Sequence, residues 1–276
     1  MNDPTQTLDT GRSQAGWSYY GSWRKCSRKW AYENVYKIEG SRGGARGLGS
    51  LVHELLARHY LARMGHPQPS AEATLEEKGA DLKPDAVELA RSRYAQYVAS
   101  YAAEDWTPIA VEEEYRIGFL LEPNGNVRVV DAETPGSVLY TSRVDLVVRD
   151  SAGKIWIVDH KTAARISGSS EFRYAMHGQF HGFWHIGRHF FGDAFAGPMI
   201  NFVQTWSGPS FKRVRPPAAP QLVEGFPRLI VATASEIALW SRKAKSPSDW
   251  PTTSHETVCV SSYGTCDHAT RCRFGE

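Results

Sequence analysis

The sequence predicts one α+β domain that spans residues 1–276. Apolar residues recur every three or four positions in the N-terminal part, which indicates helices, and then at strand spacing from about residue 111 to residue 162. Helical spacing returns on either side of one further strand, and this order of elements is typical of an α+β domain. Because 41% of the residues are apolar and 12% are aromatic, the chain can bury a substantial core.

Three helical patterns precede the strands. Aromatic and basic residues alternate at near-helical spacing from Ser22 to Tyr36, which predicts one helix with an aromatic face and a basic face. Apolar residues at spacings of three and four then predict a second helix, which carries His53. Residues from about 65 to 106 predict a helical insert that is interrupted near Pro84, since proline disrupts a continuing helix.

Four apolar segments separated by turn residues make up the strand region. The pair Asn124 and Gly125 is a hairpin signal, and the whole region predicts a meander of antiparallel strands. A helix, a strand and a late helix follow, before an irregular cysteine-rich tail at about 255–276. The segments are VEEEYRIGFLL, NVRVVDA, VLYTSRVDLVV and KIWIVDHKT, followed by FRYAMHGQFHGFWHIGRHFFG, PMINFVQTW and RLIVATASEIALWSRKAK.

Charge and hydropathy narrow the class of protein. The formal net charge is +2, so a nucleic-acid surface would have to come from local clusters of Lys and Arg. The N-terminus is polar and no segment approaches the roughly 20 apolar residues of a membrane span, so we expect a soluble, cytoplasmic protein with no membrane partner. In that reducing compartment, the four cysteines are expected to be metal ligands or thiols rather than disulfides.

Two aspartates and a lysine are predicted to meet in the strand region. In the segment IVDHKT, Asp159 and Lys161 point the same way because side chains alternate along a strand. If residues 151–153 form a hairpin loop with Gly153 in the left-handed conformation, Asp145 falls opposite Asp159. The two carboxylates would repel each other, and a bound Mg²⁺ or Mn²⁺ would remove this conflict. Lys161 could then orient or help deprotonate a metal-bound water, or stabilise charge on a phosphate.

The same residues also permit a simpler interpretation. Asp159 and Lys161 could form a surface ion pair, with Asp145 solvated on an exposed face of the sheet. Three-residue patterns of this kind are frequent in proteins that bind no metal. A lone histidine in an amphipathic helix, such as His53, is likewise more often a boundary residue than a ligand.

A cluster of cations lies beside two tryptophans near the N-terminus. These cations could neutralise phosphates while exposed aromatic rings stack on unpaired bases. A solvated basic face over an aromatic core explains the same pattern equally well. The cluster comprises Arg24, Lys25, Arg28 and Lys29, beside Trp23 and Trp30.

The four cysteines are unevenly distributed. Cys26 lies near the N-terminus, whereas Cys259, Cys266 and Cys272 lie in the tail. Four thiolates can hold Zn²⁺ or a [4Fe-4S] cluster, and spacing alone does not decide between the two. Zinc sites usually contain paired C-x-x-C motifs, which this sequence lacks, and free reduced thiols are a third interpretation.

In order along the chain, the segments GSLVHELL, SRVDLVV, IVDHKT and QFHGF resemble the PD-(D/E)XK nucleases. The resemblance is to their RecB-like branch, which includes the AddB and CRISPR-associated adaptation nucleases and many phage exonucleases, and it extends from Cys26 to Cys272. It implies a restriction-endonuclease-like core with a mixed central sheet flanked by helices. Similarity to compact phage nucleases also implies a phage or prophage origin.

The resemblance implies catalytic or metal-binding roles for several residues in these segments. It implies that Asp145, Asp159 and Lys161 are catalytic, and that His53 and the two aspartates bind the metal ion. The backbone carbonyl of His160 would be a further ligand, because it lies between the two functional side chains.

A second motif of the family falls on the helix that follows the strands. Gln179 matches the glutamine of the Q-x-x-x-Y motif, which implies that it organises the site and contacts DNA. The tyrosine of that motif is replaced by Phe183, so a hydroxyl contact is missing. The family often has a glutamate on its first strand, and among Glu112, Glu113 and Glu114 the preferred candidate is Glu113.

The cysteine arrangement also matches this branch, in which one cysteine near the start and three near the end bind an iron–sulfur cluster. The resemblance therefore favours a [4Fe-4S] cluster that joins the two chain termini. The branch usually has a C-x-x-C pair where six residues separate Cys259 from Cys266, so Zn²⁺ is kept as the alternative.

The function implied is a metal-dependent DNA exonuclease of recombination, repair or phage DNA processing. Water would attack phosphorus and leave a 5′-phosphate on the product. Expected partners are DNA that is single-stranded or has free ends, and a helicase, a recombination protein or a second copy of the chain. The alternatives are a non-catalytic DNA-binding or scaffold protein with a structural four-cysteine metal site, and a structural zinc protein with an incidental D-x-K motif.

Overall fold

The computed structural model describes residues 13–38, 47–166, 168–206, 211–217, 219–253, 256–261 and 264–274. The α-helices are α1 (Trp17–Lys25), α2 (Ser27–Asn34), α3 (Leu48–Arg63), α4 (Ala71–Gly79), α5 (Pro84–Ser100), α6 (Gly168–Ala175), α7 (Gly178–Phe191), α8 (Pro220–Lys243), α9 (Glu256–Cys259) and α10 (Ala269–Phe274). The strands are β1 (Thr107–Leu121), β2 (Val127–Asp131), β3 (Val138–Arg149), β4 (Ile155–Ala163), β5 (Phe195–Gln204), β6 (Phe211–Val214), β7 (Val260–Ser261) and β8 (Gly264–Thr265).

A six-stranded sheet has the order β2-β1-β3-β4-β5-β6. The pairs β1–β2, β3–β4 and β5–β6 are antiparallel, whereas β4 and β5 are parallel. Parallel neighbours need a long crossover connection, and α6 and α7 lie within the one between β4 and β5. The predicted α+β class with a mixed sheet flanked by helices is therefore confirmed.

The predicted meander is wrong, because β1 lies between β2 and β3 instead of at one edge. Strand β1 has 15 residues and β2 only five. The short β2 pairs with the end of β1 through a tight turn, in which Gly125 has a φ of +83°. The 12-residue β3 occupies the other edge of β1, which offers a longer backbone for pairing.

The predicted single helix from Ser22 to Tyr36 is also interrupted. Cys26 has an extended backbone, with φ −161° and ψ 107°, and separates α1 from α2. The amide of Arg28 donates to the carbonyl of Pro251 at 2.9 Å instead of continuing the helical hydrogen-bond pattern. A contact with a segment distant in sequence thus ends the helix, although the local pattern favoured its continuation.

The contacts within the described residues divide the chain into two compact units. The first contains residues 47–115 and 142–224 of the described chain, and the second contains 13–38, 116–141 and 225–274. The expectation of one domain spanning residues 1–276 stays a prediction. None of the helices in the described ranges is long and apolar enough to cross a membrane.

In the first unit, α3 packs on one face of the sheet. Its apolar residues form one buried cluster with side chains of β3, β4 and β5 that project from the same face. Helices α4 and α5, which lie within the predicted insert, extend this cluster through Leu75, Ala90 and Tyr97. Ser70 caps α4 by accepting a hydrogen bond from the Ala73 amide, and Pro84 begins α5 at a position that proline favours.

The second unit has a core dominated by aromatic rings. Trp23, Trp30 and Trp250 contact one another with centroid separations of 5.2 to 5.9 Å. Phe226 of α8 contacts Tyr140 edge-on at 5.3 Å. The aromatic face predicted for the N-terminal helix is thus buried in this core.

Candidate active site

The β3–β4 hairpin brings two carboxylates together. Its loop has the predicted form, because Gly153 has a φ of +78° and the Asp150 amide donates to the Lys154 carbonyl at 2.9 Å. The pairing then runs back to Leu146 opposite Val158, and one further step places Asp145 beside Asp159. The predicted register of this hairpin is therefore confirmed.

Asp159 is almost completely buried. It is 1% exposed, and Lys161 Nζ lies 2.6 Å from its Oδ2 while Gln179 Nε2 donates to its Oδ1 at 2.8 Å. Burial raises the pKa of Asp159, the Lys161 ammonium opposes this rise, and the charge of Asp145 adds to it. Although burial disfavours the ammonium, the charges of Asp159 and Asp145 raise the pKa of Lys161 overall. The interpretation as a solvated surface pair is therefore wrong for these residues.

Asp145 connects this pair to helix α3. Its Oδ2 accepts a hydrogen bond from the His160 backbone amide at 2.7 Å and lies 3.6 Å from Nδ1 of His53. His53 is held in place because its neighbour Val52 is buried in the α3 cluster. Helix α3, the β3–β4 hairpin and the first turn of α7 thus bring together His53, Asp145, Asp159, Lys161 and Gln179, whose catalytic and metal-binding roles stay predictions.

Glu112 is one of three consecutive glutamates on β1, and burial beside the carboxylates of this site shifts its pKa. Burial raises its pKa to about 9 and the charge of Asp145 adds to this rise, whereas Arg143 opposes it and Glu54 and Asp159 make smaller contributions that raise it. Its φ of 50° lies in the left-handed region, which is unusual for a residue other than glycine. Glu113 is exposed, so the structure favours Glu112 over the candidate preferred from the sequence.

The side chain of His160 lies apart from the carboxylates, in a buried polar network. Its Nδ1 accepts a hydrogen bond from the Asn201 amide nitrogen at 2.8 Å, which leaves the proton on Nε2. Asn201 also donates to the Tyr97 hydroxyl at 2.9 Å, and that hydroxyl lies 2.8 Å from the hydroxyl of Tyr60. Burial lowers the pKa of His160 well below its ordinary value. The imidazole thus supports β4 from the core, and the backbone carbonyl as a ligand stays a prediction.

On α7, Phe183 stands where the Q-x-x-x-Y motif has a tyrosine. Its ring is fully buried and contacts Phe180 at a centroid separation of 5.5 Å. A hydroxyl at this position would need a hydrogen-bond partner inside an apolar cluster. Phe183 therefore helps to fix α7, and with it Gln179, against the sheet.

Sequence reasoning missed two contributors to the site, Glu54 and Asn201. Glu54 is 6% exposed within the apolar run of α3 and is bound to Arg58 at 2.7 Å. Asn201 is fully buried on β5 opposite His160. A charged or amide residue within an otherwise apolar pattern was the available signal, since such groups are buried only with partners.

The described residues contain no group of three or more His, Cys, Asp or Glu side chains arranged as it stands to hold a metal ion. One oxygen of Asp159 is paired instead with the Lys161 ammonium, at 2.6 Å. The donor set is nevertheless suited to Mg²⁺ or Mn²⁺, since carboxylate oxygens predominate and repel one another.

The four cysteines belong to the second unit, where all four are free thiols. The Cys266 amide donates to the Cys259 carbonyl at 2.7 Å. Burial raises the pKa of the Cys259 thiol, and so do the negative charges of Cys26, Cys266 and Cys272. The four sulfurs therefore interact electrostatically, although they do not form a closed metal site within the described chain.

The basic cluster predicted to bind DNA also lies in the second unit, and most of its members have protein partners. Arg24 and Lys29 lie 3.7 and 3.6 Å from glutamates. Arg28 donates to the carbonyls of Ser248 and Trp250 at 2.8 and 3.1 Å, which gives it a structural role. Lys25 is exposed. Contacts of these residues with DNA stay predictions.

Comparisons with known proteins bear on the whole chain. Residues 18–273 match the model of the PD-(D/E)XK nuclease superfamily. A crystal structure of a putative exonuclease from Eubacterium rectale shares 11% identity, covers 95% of this chain and 88% of its own, and superposes with a TM-score of 0.53. At that identity the likeness concerns the fold, which is restriction-endonuclease-like. The structure of SSO0001 shares 14% identity over 68% of this chain and 72% of its own, with a TM-score of only 0.30. No curated protein sequence matches.

Proposed function

The chain belongs to the PD-(D/E)XK nuclease superfamily, and from this premise we propose that it is a divalent-metal-dependent deoxyribonuclease acting as an exonuclease. The observation that carries the proposal is the buried Asp159, held between Lys161 and Gln179 and beside Asp145. Burying acidic groups close together is unfavourable without a compensating cation, and here the acidic groups exceed the ammonium that partly compensates them.

Asp145, Asp159 and His53 would hold the cation, with the His160 carbonyl as a further donor and Glu112 close by. When bound, Mg²⁺ or Mn²⁺ supplies a Lewis acid for the phosphate and lowers the pKa of a water molecule. Because Lys161 Nζ lies 2.6 Å from Oδ2 of Asp159, a cation held by this oxygen would replace the ammonium there. Gln179 keeps the same carboxylate oriented through its other oxygen.

Lys161 acts through its charge in this proposal. Because the raised pKa keeps its side chain an ammonium at neutral pH, it stabilises negative charge on the phosphate and orients the attacking water. The water forms the new bond to phosphorus, the 3′ oxygen leaves, and the product carries a 5′-phosphate.

The decisive experiment compares wild type with Lys161→Ala on end-labelled single-stranded and duplex DNA in Mg²⁺ or Mn²⁺. We expect the substitution to slow cleavage by about 100-fold or more, the effect of removing one group that stabilises a transition state. Lys154→Ala is the matched control, because Lys154 lies exposed on the same hairpin. This variant should cleave DNA as wild type does.

Substrate topology tests the exonuclease mode. An exonuclease degrades linear DNA and leaves closed circles intact, whereas cutting of circles would establish an endonuclease. If wild type and Lys161→Ala are equally inert but still bind DNA, the catalytic proposal fails and a DNA-binding or scaffold role replaces it.

The finer assignments rest on the resemblance. We propose a RecB-like nuclease of the cytoplasm, in recombination, repair or phage DNA processing, with a [4Fe-4S] cluster at Cys26, Cys259, Cys266 and Cys272. Burial and the charges of Cys26, Cys266 and Cys272 raise the pKa of the Cys259 thiol, which supports a shared site, since an iron–sulfur cluster or Zn²⁺ would compensate the charge of four thiolates.

A further inference from the structure

An exposed tryptophan, Trp206, lies just beyond the end of strand β5. Trp206 is 61% exposed, although tryptophan is on average a well-buried residue. Arg165 is also exposed, and its Cζ lies 4.6 Å from the centroid of the Trp206 ring. No carboxylate of the described chain pairs with this guanidinium. The pair therefore presents a flat apolar ring and a positive charge together to solvent.

The backbone holds this pair in place. The amides of Thr205 and Trp206 donate to the carbonyls of Ala163 and Ala164 at 2.8 and 3.1 Å. These bonds extend the parallel pairing of β4 and β5 past the ends of both strands. The backbone of Trp206 thus belongs to an ordered extension of the sheet. Little further conformational freedom is therefore lost when its ring binds a ligand.

Gln204 fixes the segment further through its side chain. Its Oε1 accepts from the Ile166 amide at 3.0 Å, and its Nε2 donates to the Trp206 carbonyl at 3.0 Å. One amide side chain thereby connects Ile166, which follows Arg165, to the backbone of Trp206 itself. This arrangement fixes the backbone beneath the exposed ring.

The position of the pair relates it to the carboxylates. Arg165 follows Lys161 by four residues, a backbone reach of about 13 Å at most. Because β4 and β5 are parallel, the ends that carry Lys161, Arg165 and Trp206 lie at the same edge of the sheet. A strand of DNA whose phosphate lies at Asp159 and Lys161 therefore has neighbouring nucleotides within reach of the pair.

We propose that Trp206 and Arg165 form a stacking platform for an unpaired base of single-stranded DNA entering the active site. This inference rests on the proposed function and adds to it that the nuclease selects DNA with unpaired ends. Aromatic rings bind bases through their π-faces, and arginine adds a planar surface and a charge for the phosphate. Paired bases in a duplex do not offer their faces, so the platform favours single strands.

The test measures binding without cleavage, in EDTA, by fluorescence anisotropy of a labelled oligothymidylate and of a blunt duplex. We expect Trp206→Ala to weaken oligothymidylate binding about 10-fold, the loss typical of one stacking ring. Trp206→Phe should retain most of the affinity, Arg165→Gln should lose part of it, and duplex binding should change by less than about twofold.

Two control variants match these changes at a distance. Phe190→Ala removes an exposed aromatic ring at the end of α7. Arg188→Gln breaks a second arginine–tryptophan contact, in which Cζ lies 5.1 Å from the ring of Trp184 near the start of β5. Both should bind oligothymidylate as wild type does.

The platform is refuted if Trp206→Ala binds oligothymidylate within about twofold of wild type, or if wild type shows no preference for it over the duplex. Equal weakening by Trp206→Ala and Phe190→Ala would also overturn it, because the effect would then not belong to this site. Since no cleavage is measured, a wild-type protein that binds but never cuts refutes the proposed function and leaves this inference to be decided by the binding data.

Discussion

Glu112 lies in an environment that disfavours the charged form of its side chain. Its pKa rises from an ordinary value of 4.5 to about 9, chiefly because it is buried and secondly because Asp145 is charged. The left-handed backbone at this residue is a strained conformation, which persists only when the surroundings impose it. The metal-free protein therefore holds an acidic group that folding makes harder to ionise.

This shift gives the metal-free protein a defined pH dependence. A carboxyl group with a higher pKa in the folded state takes up a proton on folding, so stability is greatest below pH 4.5 as far as this group is concerned and falls until about pH 9. Glu112→Gln removes that proton uptake. We expect the variant, in EDTA at pH 9, to exceed wild type in unfolding free energy by on the order of 1–3 kcal/mol.

Urea unfolding at pH 6 and pH 9 measures the difference, with Glu113→Gln as the control because Glu113 is exposed. Equal pH dependence in wild type and Glu112→Gln would contradict the buried protonated carboxyl. The choice of Glu112 over Glu113 was beyond the sequence, because strand alternation assumes regular backbone and the φ of 50° breaks that regularity. The pairing of Asp145 with Asp159 could be predicted from the sequence, because it follows from counting residues back from a loop that has Gly153 in the left-handed conformation.

At the scale of elements, the β3–β4 hairpin depends on its loop. Gly153 has a φ of +78°, and a Cβ there would meet no atom within 4 Å. A substitution at this position thus changes backbone energy and nothing in packing. Gly225 offers the converse case, because a Cβ there also meets nothing but the residue lies inside helix α8.

These two glycines give a paired prediction of opposite sign. Gly153→Ala should lower the free energy of unfolding by about 1–2 kcal/mol, the cost of a left-handed conformation for a residue with a Cβ. Gly225→Ala should raise it by about 0.5–1 kcal/mol, because alanine is the better helix former. Chemical denaturation measures both, and a loss at Gly225 or no loss at Gly153 would contradict the assignment of these backbone conformations.

Local patterns predicted element types better than element limits or order. Strand alternation and turn residues identified β1 to β4, because these signals act within a few residues. The interruption at Cys26 and the position of β1 between β2 and β3 depend on partners distant in sequence, Pro251 in the first case and β3 in the second. Single-sequence reasoning has no access to such partners.

For the whole molecule, the resemblance predicted from four short segments agrees with a family match that spans residues 18–273. The superfamily and its mixed sheet were therefore accessible from sequence. The RecB-like branch, the phage origin and the exonuclease mode depend on details that a shared fold does not carry, since one fold hosts several activities. They stay proposals for solution experiments.

The cysteine site gives the prediction at this scale. Protein purified without oxygen should be brown and contain about four irons per chain, with matching sulfide, if the four thiolates hold a [4Fe-4S] cluster. Cys266→Ser should lose most of the iron and, because the cluster would join segments distant in sequence, lower the unfolding midpoint. Lys154→Ala, which is remote from the cysteines in sequence, serves as the control for iron content. One zinc and no colour would favour the zinc alternative, and an absence of both metals would contradict a metal site.

The three-residue loop between β3 and β4 also bears on how the chain folds. A hairpin with so short a connection forms within about 1–10 μs, whereas His53 and Gln179 must close longer loops before they arrive. Asp145 and Asp159 are therefore neighbours early, when few opposite charges surround them. Repulsion within the acidic pair would slow this step, so we expect millimolar Mg²⁺ in the refolding buffer to accelerate refolding by binding between the two carboxylates, relative to refolding in EDTA.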